Sequence, residues 1–181
     1  LAKEEMERRL SLIKRSLDIE AISSADLIVE AVFEDIGVKK TTFEAIDRVA
    51  KPGAILASNT SYLDVRKIAS FTSRPEDVVC MHFFSPANVM KLLENVRTPH
   101  TPPDVLATVM RVGTQLGMVA VLVGGEDGWV ANRMLAQRSR DTLMPLEEGA
   151  LTEQDDRRLS ELRLAQGPRH VWRRAGRGGA W

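Results

Sequence analysis

Residues 81–94 read MHFFSPANVMKLLE, and this stretch decides the fold. The apolar residues before His82 predict a short buried strand that ends at this histidine. The Ser85-Pro86 pair predicts a turn, because proline fixes its own φ and disfavours helix in the residue before it. A second apolar segment carries Glu94 back towards His82, and a histidine beside a carboxylate can act as a general base with an orienting partner. The same pattern also fits a histidine at the edge of the core and a solvated glutamate.

The composition excludes several classes of partner. The chain of 181 residues carries 25 basic and 25 acidic side chains, a neutral balance that gives no support to nucleic acid or an anionic membrane as a partner. No apolar run approaches the ~20 residues that span a bilayer, and there is no signal-peptide pattern. The single cysteine, Cys80, lies inside the predicted strand, so we expect a buried small hydrophobic residue rather than a nucleophile. We therefore expect a cytoplasmic protein.

Strands and helices alternate along the first two thirds of the chain. The predicted strands cover residues 27–33, 54–57, 78–83, 92–96 and 119–123. The predicted helices cover residues 3–16, 38–50, 63–69 and 104–116. Alternation in units of this size is typical of an open parallel α/β sheet with helices on both faces.

Polar side chains gather where three successive strands end. Glu34 follows the first strand, residues 58–61 follow the second, and His82 with Ser85 follows the third. In doubly wound sheets, ligands bind outside the carboxyl ends of the strands. The sequence therefore predicts that these groups form one rim of a binding site.

A second domain is expected after the fifth strand. Residues 124–128 read GGEDG and interrupt the alternation, and a long amphipathic helix is predicted to follow at residues 129–148. We therefore predict an α/β domain at residues 1–124 and the beginning of a helical domain at residues 125–181. From about residue 157 arginines replace apolar positions, and we expect that segment to be loosely held because burial of an unpaired guanidinium is costly.

Four motifs resemble the 3-hydroxyacyl-CoA dehydrogenase family of fatty-acid β-oxidation. They occur in the family's order, and their wording is most similar to the dehydrogenase part of bacterial multifunctional enzymes. The motifs lie at residues 25–40, 54–61, 81–94 and 127–135. The resemblance implies a Rossmann-type parallel sheet followed by the start of an all-α C-terminal domain.

The phosphate-binding fingerprint of that fold does not occur in this sequence. The family opens with a strand, a G-x-G-x-x-G turn and a helix. The glycines of residues 124–128 are only a superficial match, since Glu126 and Asp127 would repel a pyrophosphate. The sequence also opens at Leu1 inside a predicted helix. We therefore expect a fragment from which the first βαβ unit is missing, and we expect little activity from this chain alone.

The resemblance implies a catalytic role for four residues. His82 would take the proton of the substrate's 3-hydroxyl, and Glu94 would hold the ring and stabilise the imidazolium. Ser61 would bond the substrate oxygen or the nicotinamide side, and Asn132 would help to polarise the carbonyl oxygen. Two other interpretations stay open: Ser61 could form a helix capping box with Asp64, and Asn132 could be an early-helix residue that faces water.

The resemblance also implies NAD as the cofactor and no metal. Glu34 and Lys39 would contact its ribose and nicotinamide region together with Ser61. Ser85 would also contact the cofactor, because it stands where many relatives have an asparagine near the cofactor. The alternative interpretation of Glu34 and Lys39 is surface charge at a helix start, where the helix dipole favours a carboxylate.

The implied function is oxidation of (S)-3-hydroxyacyl-CoA to 3-oxoacyl-CoA with NAD. The implied partners are an acyl-CoA substrate and, in a complete protein, a second copy or a multifunctional complex. Two other functions are compatible with the sequence: a related β-hydroxyacid dehydrogenase, and a truncated remnant without catalysis. The first of these usually has a lysine base, which the His82–Glu94 segment argues against.

Overall fold

A five-stranded sheet forms the centre of the computed structural model, which describes residues 2–147, 149, 157 and 161. The strands lie side by side in chain order. They are β1 Leu27–Glu30, β2 Ile55–Ser58, β3 Val78–Phe83, β4 Leu92–Val96 and β5 Val119–Val123. The helices are α1 Lys3–Ser11, α2 Ile36–Val49, α3 Val65–Ala69, α4 Pro103–Gln115 and α5 Ala131–Glu147, with short 3-10 helices at Ile19–Ile22 and Pro75–Asp77.

The predicted Rossmann-type α/β fold is confirmed, with one antiparallel pair inside the sheet. β1, β2 and β3 are parallel neighbours, and so are β4 and β5. β3 and β4 run antiparallel. The connection between them, residues 84–91, is shorter than the dozen or so residues that a parallel crossover needs, so the chain returns as a hairpin.

Helices cover both faces of the sheet. On one face, α2 and α3 bring Phe43, Ile46 and Ile68 against Leu56 and the other buried residues of one core cluster. On the opposite face, α4 brings Val109 against a second cluster from β2, β3 and β4. Neighbouring residues of β2 alternate between the two clusters, as expected for a strand covered on both sides.

Two elements are shorter than the sequence predicts. β1 ends at Glu30 rather than at residue 33, because the Val32 N–H turns back to donate to the Glu30 carboxylate at 2.7 Å. α1 ends at Ser11 rather than at residue 16. No residue of α1 is buried, so its apolar side chains gain no packing energy that would extend the helix.

The described chain divides into two compact units, Leu1–Asp127 and Gly128–Trp181. The second unit begins with Gly128 and Trp129, both at positive φ, and continues into α5. In the part of the chain that the structure describes, no helix is long and apolar enough to cross a membrane. The segment predicted to be loosely held, from about residue 157, lies almost entirely outside the described residues.

Candidate active site

A histidine–glutamate pair lies at the centre of the candidate site. His82 and Glu94 are directly opposite each other in the antiparallel register of β3 and β4. The distance from His82 Nδ1 to Glu94 Oε2 is 2.9 Å, and the two residues are 4% and 0% exposed. Glu94 is therefore not the solvated carboxylate of the alternative interpretation. An ionised carboxylate can only accept, so the geometry assigns the Nδ1 proton to the bond with Glu94.

An aromatic ring packs against the imidazole. The ring centroids of His82 and Phe84 are 4.3 Å apart, with the planes tilted by 52°. Phe84 follows β3 directly, so the strand that carries the histidine also supplies this contact. Glu94 and Phe84 together restrict the orientation of the imidazole.

The loop after β2 lies beside the end of β3. The Oδ1 atom of Asn59 accepts a hydrogen bond from the Phe83 N–H at 2.8 Å, and the Asn59 N–H donates to the Glu30 carbonyl at 2.8 Å. Asn59 thus links the ends of β1, β2 and β3. It lies within the predicted polar rim, but nothing in the sequence indicates this bridging contact.

Glu34 organises the loop at residues 60–62. Its Oε1 atom accepts from the Thr60 hydroxyl at 2.5 Å, the Ser61 N–H at 2.6 Å and the Tyr62 N–H at 3.0 Å. Burial by itself would raise the pKa of Glu34, but these hydrogen bonds and the charge of Lys39 outweigh it, and the pKa is lowered. Glu34 is therefore a carboxylate that holds the loop, not merely the surface charge of the alternative interpretation, and the neighbouring Asp35 is the residue that caps α2.

Lys39 is a buried lysine rather than a surface charge. It is 0% exposed, and its Nζ atom lies 2.7 Å from Glu30 Oε1 and 3.4 Å from Glu34 Oε2. Glu30 in turn accepts from the Ser58 hydroxyl at 2.7 Å. Glu30 was not among the site residues predicted from the sequence. The signal that could have identified it is a carboxylate inside an apolar strand, because a buried charge needs a partner.

The remaining predicted residues have different surroundings. Ser61 is half-buried in the loop that Glu34 holds, and Asp64 caps α3 through the Arg66 N–H at 2.9 Å. Ser85 is exposed in the connection between β3 and β4. Asn132 belongs to the second unit, on the first turn of α5, and is 6% exposed, so it does not face water.

The comparisons with known proteins decide the family. The model of the NAD binding domain of 3-hydroxyacyl-CoA dehydrogenase matches residues 1–127. The chain belongs to the 3-hydroxyacyl-CoA dehydrogenase family. It is 46% identical over 158 residues to the peroxisomal bifunctional enzyme of Danio rerio, which covers 87% of this chain and 22% of that protein. The chain thus spans about a fifth of the length of such curated relatives.

Two solved structures give the same result. FadB2 of M. tuberculosis matches with a TM-score of 0.93 and 33% identity, covering 97% of this chain and 63% of that chain. The (S)-3-hydroxybutyryl-CoA dehydrogenase PaaH1 of Ralstonia eutropha matches with a TM-score of 0.89 and 31% identity, covering 93% and 60%. The expected family is confirmed, and so is NAD as the cofactor of this dehydrogenase family.

The strand-end edge of this dehydrogenase chain has the chemistry that a nicotinamide nucleotide needs. The Glu34 side chain is 37% exposed, so its carboxylate can reach a ligand hydroxyl while it holds the loop. Ser61 lies next to it, and both follow strands of the sheet at the carboxyl edge, where dinucleotides bind in this fold. These residues fit the ribose and nicotinamide end of NAD. Lys39, which was predicted to contact the cofactor, is fully buried behind Glu34 at 3.4 Å.

The single cysteine of the chain lies in the buried strand β3. Cys80 is fully buried, its Sγ atom contacts the Thr60 carbonyl at 3.6 Å, and burial raises the pKa of its thiol well above the usual value. The expectation of a buried cysteine is confirmed. The described residues contain no group of three or more His, Cys, Asp and Glu side chains that could hold a metal ion.

Proposed function

We propose that the protein that contains this chain oxidises (S)-3-hydroxyacyl-CoA to 3-oxoacyl-CoA with NAD. The observation that carries the proposal is the buried His82–Glu94 pair at 2.9 Å, on the same sheet edge as the loop that contains Ser61. Such a pair supplies a proton acceptor whose tautomer and orientation are fixed before substrate arrives. Hydride removal from a hydroxyl-bearing carbon needs this group at the hydroxyl.

His82 acts as the general base in this mechanism. The 3-hydroxyl gives its proton to Nε2 of His82 while the C–H bond of the same carbon breaks. Bound NAD supplies the nicotinamide carbon that accepts the hydride. The imidazolium that forms lies against the Glu94 carboxylate, which stabilises its charge and keeps the ring in place. In the reverse direction the imidazolium returns the proton to the oxygen of the 3-oxo group.

Three further residues bind and orient the reactants in the proposed mechanism. Ser61 donates its hydroxyl to the substrate oxygen or to the nicotinamide side, and Asn132 helps to polarise the carbonyl oxygen. Ser85, exposed after β3, contributes a cofactor contact. Each of these groups is a hydrogen-bond donor, as needed where negative charge develops on oxygen.

The proposal extends to the domains, partners and location. Residues 1–124 form the dinucleotide-binding part, and residues 125–181 begin the helical substrate and dimerisation domain. The complete protein works as a homodimer or within a multifunctional polypeptide, as the bifunctional relative's name suggests. The expected cytoplasmic location stays a prediction, since that relative is named peroxisomal. A fluorescent fusion, imaged with a peroxisomal marker, would distinguish the two locations.

The test is a substrate comparison on the full natural protein that contains this sequence. NADH oxidation is followed by absorbance with acetoacetyl-CoA and, in parallel, with free acetoacetate. We expect turnover of the thioester and little turnover of the free acid. Preference for the free acid would assign a β-hydroxyacid dehydrogenase instead, and an absence of turnover with both would overturn the proposed activity.

A further inference from the structure

Glu30 is a buried carboxylate that was not predicted as a site residue. All of its described contacts belong to one hydrogen-bonded cluster. Glu30, the last residue of β1, is 4% exposed. Its Oε1 atom accepts from Lys39 Nζ at 2.7 Å and from the Val32 N–H at 2.7 Å, and its Oε2 atom accepts from the Ser58 hydroxyl at 2.7 Å. Glu30 is therefore shielded from substrate and cofactor and can influence the reaction only through its neighbours.

Contacts between charged groups connect Glu30 with the loop that contains Ser61. An isolated ammonium in the interior is costly, so the fully buried Lys39 needs the Glu30 carboxylate. The same ammonium faces Glu34 Oε2 at 3.4 Å. The other oxygen of Glu34 accepts the N–H groups of Ser61 and Tyr62. Three consecutive contacts thus connect a buried strand residue with the backbone of a site loop.

A second path runs through β2. The Ser58 hydroxyl that donates to Glu30 also accepts the Thr60 N–H at 3.3 Å. Residues 60–62 are therefore held from both sides, by Ser58 at their start and by Glu34 across the loop. Both of these groups depend on Glu30 for their position. Ser58 bonds to Glu30 directly, and Glu34 faces Lys39, which Glu30 fixes.

We propose that Glu30 is a positioning residue for the dehydrogenase site: through Lys39 and Ser58 it fixes Glu34 and the loop at residues 60–62, and so presents Ser61 to the reactants. This inference rests on the proposed function for the role of Ser61. The loop geometry, however, can be tested without any turnover.

The first experiment measures amide hydrogen exchange in this chain and in its Glu30→Gln variant. Glutamine keeps the shape but removes the charge that holds Lys39. We expect the Ser61 and Tyr62 amides to exchange about tenfold faster or more, while the amides of α4 keep their rates. Unchanged exchange at Ser61 and Tyr62 would overturn the proposal, whatever the enzymatic activity of the protein.

Two further variants make this exchange experiment decisive. Asp47→Asn breaks an ion pair of similar length, 2.9 Å to Arg74, at the C-terminal end of α2, and should leave the exchange of residues 60–62 unchanged. If Glu30→Gln alone does not fold, the double variant Glu30→Gln/Lys39→Met removes both buried charges. That double variant should fold and still show fast exchange at Ser61 and Tyr62; slow exchange there would contradict the inference.

The second experiment is a kinetic double-mutant cycle in the full natural protein, with acetoacetyl-CoA and NADH. Glu30→Gln should lower kcat/KM about tenfold or more, and its loss should largely disappear when Ser61 is already alanine, because both changes act on one loop. Asp47→Asn combined with Ser61→Ala should instead be additive. Additive losses for Glu30→Gln and Ser61→Ala would show that Glu30 does not act through this loop. A wild-type protein without turnover would refute the proposed function. The exchange data would still show whether Glu30 positions the loop at residues 60–62.

Discussion

Replacement of Glu94 by glutamine isolates the electrostatic part of the proposed mechanism. Glutamine has nearly the same shape, and its amide oxygen can still accept from His82 Nδ1 at the present 2.9 Å. What disappears is the negative charge that faces the imidazolium. The variant therefore tests charge stabilisation of the proton-transfer step while ring orientation is largely kept.

The size of the effect follows from the geometry. Two unit charges about 4 Å apart interact by roughly 4 kcal/mol at an effective dielectric constant of ~20. If about half of the imidazolium charge has developed in the transition state, Glu94 contributes roughly 2 kcal/mol there. Because ~1.4 kcal/mol corresponds to tenfold in rate, kcat should fall by about thirtyfold in Glu94→Gln.

The assay is the NADH absorbance that appears with a saturating (S)-3-hydroxyacyl-CoA and NAD, the direction in which imidazolium charge develops, alongside thermal unfolding to verify that the variant is folded. Glu44→Gln is the matched control, since it removes one carboxylate charge from an exposed site of α2 and should leave kcat unchanged. The double variant His82→Gln/Glu94→Gln should be little slower than His82→Gln, because the two residues share one proton-transfer unit. A folded Glu94→Gln protein that keeps more than half of the wild-type kcat would refute this reasoning.

Three other predictions concern the α/β unit. Burial alone would raise the pKa of Asp47, but a backbone N–H and the Arg74 guanidinium lower it, so its carboxylate stabilises the fold above about pH 4. Asp47→Asn should lower the free energy of unfolding by about 1 kcal/mol at pH 7. This difference from the wild type should shrink as the pH falls through the lowered pKa of Asp47, as measured by urea unfolding at pH 7 and at a pH below that pKa. Cys80 should resist a thiol reagent in the native protein and react after denaturation, as measured by the absorbance of the released chromophore. Gly113→Ala should cost about 1–3 kcal/mol because its Cβ would lie 2.8 Å from a side chain of β5, whereas Gly124→Ala, in open space, should cost less in thermal unfolding.

The sequence was most informative where the site depends on local chain geometry. His82 and Glu94 are joined by a turn whose Ser85-Pro86 signal is visible in the sequence, so their approach could be predicted. Cys80 was predicted to be inert because it lies inside an apolar strand. In both cases the relevant neighbours are close along the chain.

The residues that were missed depend on lateral contacts between distant segments. Glu30 bonds to Ser58, and Asn59 bonds to Phe83, only because the parallel register brings these strand ends together. Sequence spacing does not give that register. The burial of Lys39, which was expected to contact the cofactor, could not be predicted for the same reason, since it follows from the packing of α2 over Glu30.

The general base is the central claim, and kcat of His82→Gln tests it most directly. The measurement is NADH absorbance with acetoacetyl-CoA in the full natural protein, together with a calorimetric titration with NAD. The account predicts a fall in kcat of ~10²–10⁴, the usual contribution of a positioned general base, with NAD affinity nearly unchanged. A folded variant that binds NAD and keeps more than a tenth of the wild-type kcat would show that another group takes the proton.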